Sequence, residues 1–276
     1  MSVELINIIE FLRLHQIEIQ HFDEKFFIKT LEKRISSTEA KSYDDYYNIL
    51  LSNTKELTEL QKTLYINYSE FFRNSLTFSF LEQIIIPEII RKKQLKKNKE
   101  IRVWSMATAN GQEAYSIAIL LDEIISKSNT DISYRIFATD IIKEEIESAK
   151  KGIYNTEDVE NISLKRLNSY FEKKNNQYIA SAKLKNNIYF SLFDVISDQM
   201  LCPEASIFGD FDLIFCSNIL FYYNSHIHNI ILNKAINCIS SNAYLITGEA
   251  EKEILKKSGG LINLFPSAIF RVNNTK

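Results

Sequence analysis

The spacing of the apolar residues changes about a third of the way along the chain and divides the chain into two parts. In residues 1–90 apolar side chains recur every three or four positions, as in Leu5, Ile8, Ile9 and Leu12. This period is typical of amphipathic helices. We therefore expect an all-helical N-terminal domain over residues 1–90.

Local signals refine this helical part. Ser42 precedes Asp45 and an apolar run, which predicts a helix with Ser42 as its N-terminal cap. A further helix is expected to start near Ser69. In residues 91–100 the apolar period stops and positive charge accumulates, as is typical of a solvated linker. We place the domain boundary in this linker.

Short apolar runs alternate with amphipathic segments after residue 100. The runs IRVWSMA and YRIFATD predict strands, and helices are expected through Ala114–Ile125 and Ile142–Lys151, the second of which ends at Gly152. Strands that alternate with helices are typical of βαβ units and a parallel sheet. The fold class predicted for residues 101–276 is therefore α/β, with a Rossmann-like sheet.

A small antiparallel insertion is expected at about residues 165–190. There apolar and polar residues alternate through Tyr178, Ala180 and Ile188, with a polar stretch between the runs. The βα pattern then resumes with the strand FDLIFCSN, a helix over Ile227–Ile239 and the strand AYLITGE. The end of the chain is expected to form a closing hairpin.

Composition and charge exclude several classes of protein. Hydrophobic residues make up 45% of the 276 positions, which is enough for a core without disulfides or metal. The formal net charge of -2 argues against a surface built to coat nucleic acid. Glu4 and Glu10 stand where a signal peptide carries basic residues, and no apolar run approaches the roughly 20 residues that span a bilayer. We expect a soluble protein.

The cysteines and histidines carry no signal for a metal site. Cys202, Cys216 and Cys238 lack C-x-x-C spacing, so neither a zinc site nor a disulfide framework is predicted, and a reducing cytoplasm is expected. His226 and His228 are two residues apart, and on a helix such residues point to different faces. We therefore assign no metal ligand.

The turn after the first predicted strand is the first candidate for chemistry. Ligands of open α/β sheets bind beyond the carboxyl ends of the strands, and this turn holds a single glycine, Gly111. Gln112 and Glu113 follow it where a phosphate-binding P-loop has Lys and Ser or Thr. A cationic ligand therefore fits better than a phosphate.

Asp140 ends the second predicted strand, where an acidic residue usually binds the two hydroxyls of a ribose. Together the turn and Asp140 suggest a nucleoside with a positively charged tail. S-adenosylmethionine (SAM), with its sulfonium and ammonium groups, answers that description. The alternative is a generic Rossmann domain in which Asp140 caps a helix.

A series of segments resembles the CheR family of chemoreceptor glutamate methyltransferases. The helical part resembles the family in FFIKTLEKRI, DDYYNIL and LYINYSEFFR. The second part resembles it in RVWSMATANGQEAYSIAILL, ATDI, AKKGIY, NIYFSLFDV and FDLIFCSNILFYY. These segments occur in the family's order and cover nearly the whole chain.

The resemblance implies a two-domain methyltransferase with SAM as its cofactor and S-adenosylhomocysteine as the product. The implied substrate is a glutamate side chain of a chemoreceptor, which becomes a methyl ester in chemotaxis adaptation. The implied partner is the cytoplasmic domain of that receptor, with no nucleic acid and no insertion into a membrane. We expect a cytoplasmic monomer.

Arg73 and Tyr222 match the family positions near the reacting centre. A glutamate carboxylate is ionised near pH 7 because its pKa is about 4.3, so no general base is needed and orientation decides the rate. A guanidinium holds a carboxylate through a planar fork, and a phenol adds one hydrogen bond. The alternatives are a structural ion pair for Arg73 and simple packing for Tyr222.

The other matched positions imply a set of cofactor-binding residues. Asp140 matches the ribose acid, Glu113 an acid of the glycine motif, and Asp194 with Val195 the pair beside adenine. The alternative for each is a local cap or a strand-end hydrogen bond. The full set is Ser69, Arg73, Ala107, Gly111, Glu113, Asp140, Ile141, Asp194, Val195, Ser217 and Asn218.

Several residues depart from the family pattern. Gln112 replaces an acid, Ala114 a proline and Ser217 an arginine, and Ser241 and Asn242 stand where two glycines are usual. We expect these departures to alter the affinity for SAM and the choice of substrate more than the class of reaction. They motivate a rival function as an interaction module that binds SAM or S-adenosylhomocysteine without turnover. A further rival is a methyltransferase of small molecules or nucleic acid.

A basic helix face is the first candidate for receptor docking. Lys25, Lys29 and Lys33 recur every four residues beside Arg34, which predicts one basic stripe. The family's helical domain presents basic residues to acidic receptor helices, so the resemblance implies docking there. The alternative is a solvated face.

The β insertion is the second candidate for docking. In some members of the family it adds a receptor peptide as an extra strand. Its counterpart, roughly Tyr170–Phe190, has a polar turn at Lys173–Gln177 that contains no glycine. We therefore expect no tight turn there and docking mainly through the basic helix face.

Overall fold

The structure of the protein is a computed structural model, and the chain divides into two compact units. One unit comprises Met1–Asn67 and Phe221–His228, and the other comprises Tyr68–Leu220 and Asn229–Lys276. None of the helices within the described ranges combines the length and the apolar character that a membrane crossing requires. The described residues are 3–65, 68–197, 199–257, 260–264 and 266–272.

Four helices form the main part of the first unit. Ser42 caps one of them by accepting a hydrogen bond from the Asp45 N–H at 3.1 Å, as predicted. Asp23 caps another by accepting from the Phe26 N–H at 3.0 Å. The four helices are α1 (Val3–Leu14), α2 (Glu24–Ser37), α3 (Tyr43–Ser52) and α4 (Thr54–Leu64).

Arg34 of α2 turns into the first unit and away from the predicted basic face. Its guanidinium bonds the Glu56 carboxylate twice, with Nε–Oε1 at 2.9 Å and Nη2–Oε2 at 2.6 Å, and its side chain is 17% exposed. The Tyr46 hydroxyl donates to the same carboxylate at 2.7 Å. The prediction that Arg34 belongs to the basic face is wrong, because a buried acid on α4 binds it through a planar fork.

The second unit opens with a helix in three segments. α5 (Ser75–Phe80) passes through one π turn (Leu81–Ile85) into α6 (Ile86–Gln94). Pro87 has no N–H to donate within the helix, which is a common cause of such a local change in pitch. Asn74 caps α5 by accepting from the Thr77 N–H at 3.1 Å.

The boundaries of this helix differ from the sequence pattern. Ser69 lies in an irregular segment and the helix starts later, at Ser75, so the predicted start near Ser69 is wrong. Arg91–Gln94 of the predicted linker form the last turn of α6. In that turn Lys93 pairs with Asp212 at 2.7 Å, and both side chains are largely buried. An ion pair with a distant residue thus anchors the start of the predicted linker, although the composition of this segment predicts a solvated one.

Ten strands follow in the described residues of the second unit, and seven of them form one sheet. Six strands of this main sheet run in one direction and one runs in the opposite direction, which confirms the predicted α/β class with a Rossmann-like sheet. The strands are β1 (Glu100–Ser105), β2 (Ser133–Asp140), β3 (Ile153–Asn155), β4 (Phe171–Lys174), β5 (Gln177–Ala180), β6 (Ile188–Leu192), β7 (Phe211–Cys216), β8 (Ile239–Thr247), β9 (Leu261–Asn263) and β10 (Ile269–Val272).

The strand order of the main sheet is β6-β2-β1-β7-β8-β10-β9, and β10 runs antiparallel to both of its neighbours. Buried apolar side chains such as Ile101 and Ile136 form its core together with Ile117 of a helix. Gly152 ends another helix with φ of 58°, as predicted. The helices are α7 (Gln112–Ser128), α8 (Lys143–Lys151), α9 (Leu164–Tyr170), α10 (Ala182–Lys185), α11 (Ser225–Cys238) and α12 (Lys252–Lys257).

A second, three-stranded antiparallel sheet has the order β3-β5-β4. Its strands β4 and β5 lie within the predicted insertion, whereas β3 lies before the predicted start at about residue 165. The predicted C-terminal part of the insertion is wrong. Ile188 lies in β6, which pairs in parallel with β2 of the main sheet, Ile188 being opposite Ile136. Alternation of apolar and polar residues is the same in both kinds of sheet, so the pattern alone did not assign this strand.

The turn between β4 and β5 is tight although it contains no glycine. Lys174 pairs with Gln177, so only two residues form the turn. Asn175 has φ of 55°, a left-handed conformation that asparagine adopts more readily than most residues. The prediction that this turn is not tight is therefore wrong, because Asn175 takes the role expected of a glycine.

Candidate cofactor site at the carboxyl ends of the strands

The carboxyl ends of five adjacent strands that pair in parallel, β6, β2, β1, β7 and β8, meet at one edge of the main sheet. β1 lies between β2 and β7, so the strand order reverses at β1. Ligands of open α/β sheets bind at such a point. The turns that follow β1, β2, β6, β7 and β8 therefore form the candidate site.

The turn between β1 and α7 is shaped by packing as well as by its position. Gly111 has φ of +90°, and a Cβ added to it would lie 2.9 Å from the Cβ of Ala149 and 3.2 Å from Cε1 of Phe190. Both the conformation and the crowding exclude a side chain. Gly111 is thus required by the contact of this turn with α8 and β6, whatever the ligand.

Three buried oxygens in this turn have no hydrogen-bond partner among the described residues. They are Oγ1 of Thr108, Oδ1 of Asn110 and Oε1 of Gln112. Buried polar atoms are nearly always paired, so three exceptions within five residues indicate a ligand. Each of these atoms is able to accept a hydrogen bond, and the ammonium, amine and hydroxyl groups of SAM are donors. The turn therefore fits the expected cofactor.

Asp140 ties the turn after β1 to the end of β2. Its Oδ2 accepts from the Ala109 N–H at 2.8 Å, and its Oδ1 accepts from the Ile142 N–H at 3.0 Å. Burial raises the pKa of this carboxyl. The strand-end hydrogen bonds that were the alternative for Asp140 are therefore present. Each oxygen retains a second lone pair with which to accept from a ribose hydroxyl.

Glu113 lies in the first turn of α7 and is a strongly perturbed acid. Burial raises its pKa to about 7, against hydrogen bonds from Ser105 and Ser217 that lower it. The Ser105 hydroxyl is 2.7 Å from Oε1. The positive charge of Arg73 also lowers the pKa, and the negative charge of Glu251 raises it. A carboxyl that titrates near neutral pH ionises readily when a cationic ligand arrives.

Arg73 and Ser69 lie in the irregular segment that precedes α5. The Arg73 Nη1 donates to the carbonyl oxygen of Tyr68 at 3.1 Å, and the guanidinium stands over the Tyr68 ring, 5.1 Å from its centroid. The Arg73 side chain is exposed, and the Ser69 side chain is partly exposed. The planar guanidinium is thus accessible to a carboxylate from outside while its charge acts on Glu113.

Four further predicted residues lie in the turns after β1, β2 and β6. Ala107, Ile141 and Asp194 are exposed, and Val195 is buried. The Asp194 Oδ1 accepts from the Ile196 N–H at 2.8 Å, which is the local hydrogen bond that was its alternative. Their contact with a cofactor stays a prediction.

The turn after β7 contains Ser217 and Asn218, and an acid that the sequence analysis missed holds it from behind. Asn218 has φ of 60°, and its N–H donates to Oε2 of Glu251 at 2.7 Å. The Leu220 N–H donates to Oε1 of the same residue at 2.6 Å. Glu251 itself is fully buried. The turn is therefore anchored through its backbone.

Tyr222 belongs to the first unit. Its carbonyl oxygen accepts from the Asp23 N–H at 2.9 Å, and its ring packs edge-on against Phe26 with 5.1 Å between the centroids. The side chain is partly exposed. This packing is the alternative considered for Tyr222, and its catalytic role stays a prediction.

The structure brings the predicted residues of the second unit together in two groups. Arg73 and Ser217 act on Glu113, and Asp140 joins the glycine turn through the Ala109 N–H. Ser69, Asp194 and Val195 lie on neighbouring segments, without a described contact to either group.

Two residues were missed by the sequence analysis. Ser105, which bonds Glu113, is a polar residue at the end of an apolar strand, and only its position before the turn distinguishes it. Glu251 follows Gly248 by three residues, and its carboxylate accepts from the Gly248 N–H at 2.9 Å. That is the spacing of a capping box, which was the available signal.

Comparisons with known proteins cover most of the chain. Residues 67–263 match the model of a family described as CheR methyltransferase, SAM binding domain. The chain is 30% identical over 231 residues to a chemotaxis protein methyltransferase of Borreliella burgdorferi, over 80% of this chain and 79% of that protein. It is 26% identical over 223 residues to a chemotaxis protein methyltransferase of Escherichia coli, over 80% of this chain and 74% of that protein. The five turns of the candidate site lie within the residues that the family model matches.

Proposed function

This chain belongs to the CheR methyltransferase family, and we propose that it methylates glutamate side chains of a chemoreceptor, forming methyl esters. It is a SAM-dependent methyltransferase, and the relatives named above are chemotaxis methyltransferases. The observation that carries the proposal is the arrangement around Glu113. An acid with a pKa of about 7 lies beside buried oxygens that have no partner in the described part of the chain, and the charge of the exposed Arg73 acts on it.

The second unit offers three kinds of group to the cofactor. Asp140 would accept from the ribose hydroxyls, and Glu113 would offset the positive charge of the ligand. The oxygens of Thr108 and Gln112 would accept from its amino groups. When bound, SAM supplies a methyl group made electrophilic by the positively charged sulfur. The chain's residues therefore need to bind and orient, and no metal is called on.

Arg73 would orient the substrate. A glutamate carboxylate is already ionised at neutral pH, so the enzyme has no proton to remove. The Arg73 guanidinium would hold one carboxylate oxygen through its planar fork and leave the other free to attack. Tyr222 would donate one hydrogen bond, which directs the carboxylate without neutralising it. Orientation of this kind lowers a barrier by several kcal/mol.

The first test is transfer of a labelled methyl group. The purified protein is incubated with methyl-labelled SAM and receptor cytoplasmic fragments, and the product is treated with alkali. A glutamate methyl ester releases labelled methanol, whereas an amide or N-methyl product retains the label. If the protein binds SAM tightly but labels no fragment, it is an interaction module. Transfer of label to nucleic acid or small molecules, offered in place of the fragments, would instead indicate a methyltransferase of those substrates.

Arg73→Ala and Tyr222→Phe are expected to lower transfer by about 100-fold or more, because they remove contacts that orient the reacting oxygen. SAM affinity is expected to stay within a few-fold of wild type. The measurement is a single-turnover rate beside calorimetric binding. Arg13→Ala and Tyr47→Phe, which change the same residue types elsewhere, are controls expected to retain activity. Equal rates in all four variants would remove Arg73 and Tyr222 from the reaction.

Receptor docking is proposed to use the exposed Lys25, Lys29 and Lys33 of α2, without Arg34, which Glu56 binds. Reversing Lys29 and Lys33 to Glu is expected to raise the KM for an acidic receptor fragment by about tenfold at low salt, and less at higher salt because exposed charges are screened over about 8 to 10 Å. The same reversal at Lys55 and Lys62 of α4 is the control.

The tight turn at Asn175 makes β4 and β5 a well-formed hairpin, so docking through the small sheet is the competing outcome. Deleting the receptor's C-terminal tail tests it. A larger loss of methylation from this deletion than from the lysine reversals would assign docking to the small sheet.

A further inference from the structure

Glu251 is a buried acid for which the proposed reaction has no use. It ends a short 3₁₀ turn (Glu249–Glu251) after β8, and it is fully buried. Oε2 accepts from the Asn218 N–H at 2.7 Å, the Gly248 N–H at 2.9 Å and the Thr247 hydroxyl at 2.8 Å, and Oε1 accepts from the Leu220 N–H at 2.6 Å. All four are bonds that a carboxylate accepts.

These bonds join the turns after two neighbouring strands. Asn218 and Leu220 follow β7, Thr247 ends β8, and Gly248 follows it. The contact is close, because a Cβ added to Gly248 would lie 2.6 Å from the Asn218 Nδ2 and 2.9 Å from the Glu251 Oε2. Asn218 also has a left-handed backbone conformation, with φ of 60°. A single carboxylate therefore fixes the backbone on which the predicted cofactor ligand Asn218 stands.

Glu251 also acts on the charge of the site. Two charged groups, Arg73 and Glu251, act on Glu113, and the hydroxyls of Ser105 and Ser217 bond it. Glu251 and Glu113 together raise the pKa of the Cys216 thiol, although burial is the larger cause. The carboxyl ends of β7 and β8 thus hold negative potential behind the place where a cationic ligand is expected.

We propose that Glu251 is a positioning residue of the SAM site, which fixes the Ser217–Leu220 turn through its backbone N–H groups and supplies fixed negative charge behind Glu113. This inference rests on the proposed function, because it takes SAM as the ligand. Glu251 acts through Glu113 and Asn218, without touching the cofactor itself.

The proposal gives a defined dependence on pH. A cationic ligand favours the ionised form of Glu113, whose pKa is about 7 when no ligand is bound. Below that pH, binding must release the proton, so affinity for SAM rises as the pH increases toward about 7 and then levels off. Removing the charge of Glu251 lowers the pKa of Glu113. The rise in affinity then occurs at lower pH.

The test measures SAM affinity by calorimetry between about pH 5 and 8.5 in wild type and three variants. Glu251→Gln is expected to lower affinity about tenfold or more and to move the midpoint of the pH profile downward. Glu251→Asp keeps the charge but is one methylene shorter, so affinity falls while the midpoint stays. Glu253→Gln, an exposed acid paired with Lys256, is the matched control and is expected to leave both unchanged.

Amide hydrogen exchange of the protein without ligand supplies a second measurement. The Asn218 and Leu220 amides are expected to exchange slowly in wild type and at least about tenfold faster in Glu251→Asp. Should Glu251→Gln fail to fold, Glu251→Asp decides the positioning role by these two amides. Glu113→Gln then decides the electrostatic role, because it should abolish the pH dependence of affinity and keep both amides protected.

The two ways of failing are distinguishable. If wild type binds no SAM at any pH, the proposed function fails and this inference fails with it. If wild type binds SAM and the Glu251 variants bind equally well with the same midpoint, only the role of Glu251 is overturned.

Discussion

The turn after β1 and the two turns after β7 and β8 lie at the same edge of one sheet. They differ in whether their buried polar groups have hydrogen-bond partners. In Thr108–Gln112 three buried oxygens have no partner among the described residues. Behind Ser217–Leu220, the carboxylate of Glu251 receives four hydrogen bonds. An unpaired buried polar atom costs folding free energy, whereas a fully bonded network makes its surroundings rigid.

The difference indicates a division of tasks within the candidate site. The unpaired oxygens in the turn after β1 destabilise the folded protein until a ligand supplies the missing hydrogen-bond partners. Binding therefore recovers free energy in this turn. In the turns after β7 and β8, the groups bonded to Glu251 have their partners without a ligand. These turns therefore offer a rigid surface. Rigid support behind a site reduces the reorganisation that binding requires. The following predictions test this contrast.

The largest expected effect on the free energy of unfolding is in the turns after β7 and β8, which Glu251 bonds. Glu251→Ala leaves three backbone N–H groups without their acceptor and removes one of the two acceptors of the Thr247 hydroxyl. The free energy of unfolding is therefore expected to fall by about 3 to 5 kcal/mol. Chemical denaturation measures it. Glu253→Ala on α12, whose side chain is 72% exposed, should stay within about 0.5 kcal/mol of wild type. Similar losses in both would show that the network contributes no special stability.

A smaller effect is expected at Gly111 in the turn after β1. Gly111→Ala combines a positive φ with a Cβ contact of 2.9 Å to Ala149, and it should cost about 2 kcal/mol. Gly260→Ala is the control, because Gly260 has φ of +83° and no atom within 4 Å of an added Cβ. The difference between the two variants gives the crowding alone. Equal losses would show that backbone conformation is the whole constraint.

The smallest effect on stability is expected at Thr108, whose hydroxyl oxygen has no partner among the described residues. Thr108→Val should change the free energy of unfolding by less than about 0.5 kcal/mol and lower SAM affinity about fivefold. Thr247→Val makes the same change inside the Glu251 network and should cost about 1 to 2 kcal/mol. A reversed ranking would mean that the two turns do not differ as described.

The period of apolar residues was a good guide to the architecture. Strands and helices of the second unit follow the predicted order, and Ser42 and Gly152 mark helix ends as expected. These signals are local, since a cap or a left-handed glycine is defined by residues within one turn. The pattern did not distinguish which sheet a strand joins, so Ile188 was assigned to the insertion instead of to β6.

The chemistry of the site was less accessible from the sequence. Arg34 looked like part of a basic stripe because its partner, Glu56, is 22 residues away on another helix. Glu251 was overlooked because its partners are backbone N–H groups, which every residue except proline has. Asp140 was found through its position at the end of a strand, and Glu113 through its place after Gly111 and the family resemblance. Their hydrogen bonds and the raised pKa of Glu113 depend on three-dimensional neighbours.

The position of β1 between β2 and β7 determines when the candidate site can form during synthesis of the chain. The groups discussed here run from Ser105 to Glu251, so a ribosome that has made the glycine turn must add more than half of the chain before the anchoring acid emerges. At about 5 to 20 residues per second this takes roughly 7 to 30 seconds. Until β7 has been made, which takes most of that interval, one edge of β1 has no neighbour. The nascent chain is therefore expected to need protection from premature strand pairing until β7 and β8 are in place.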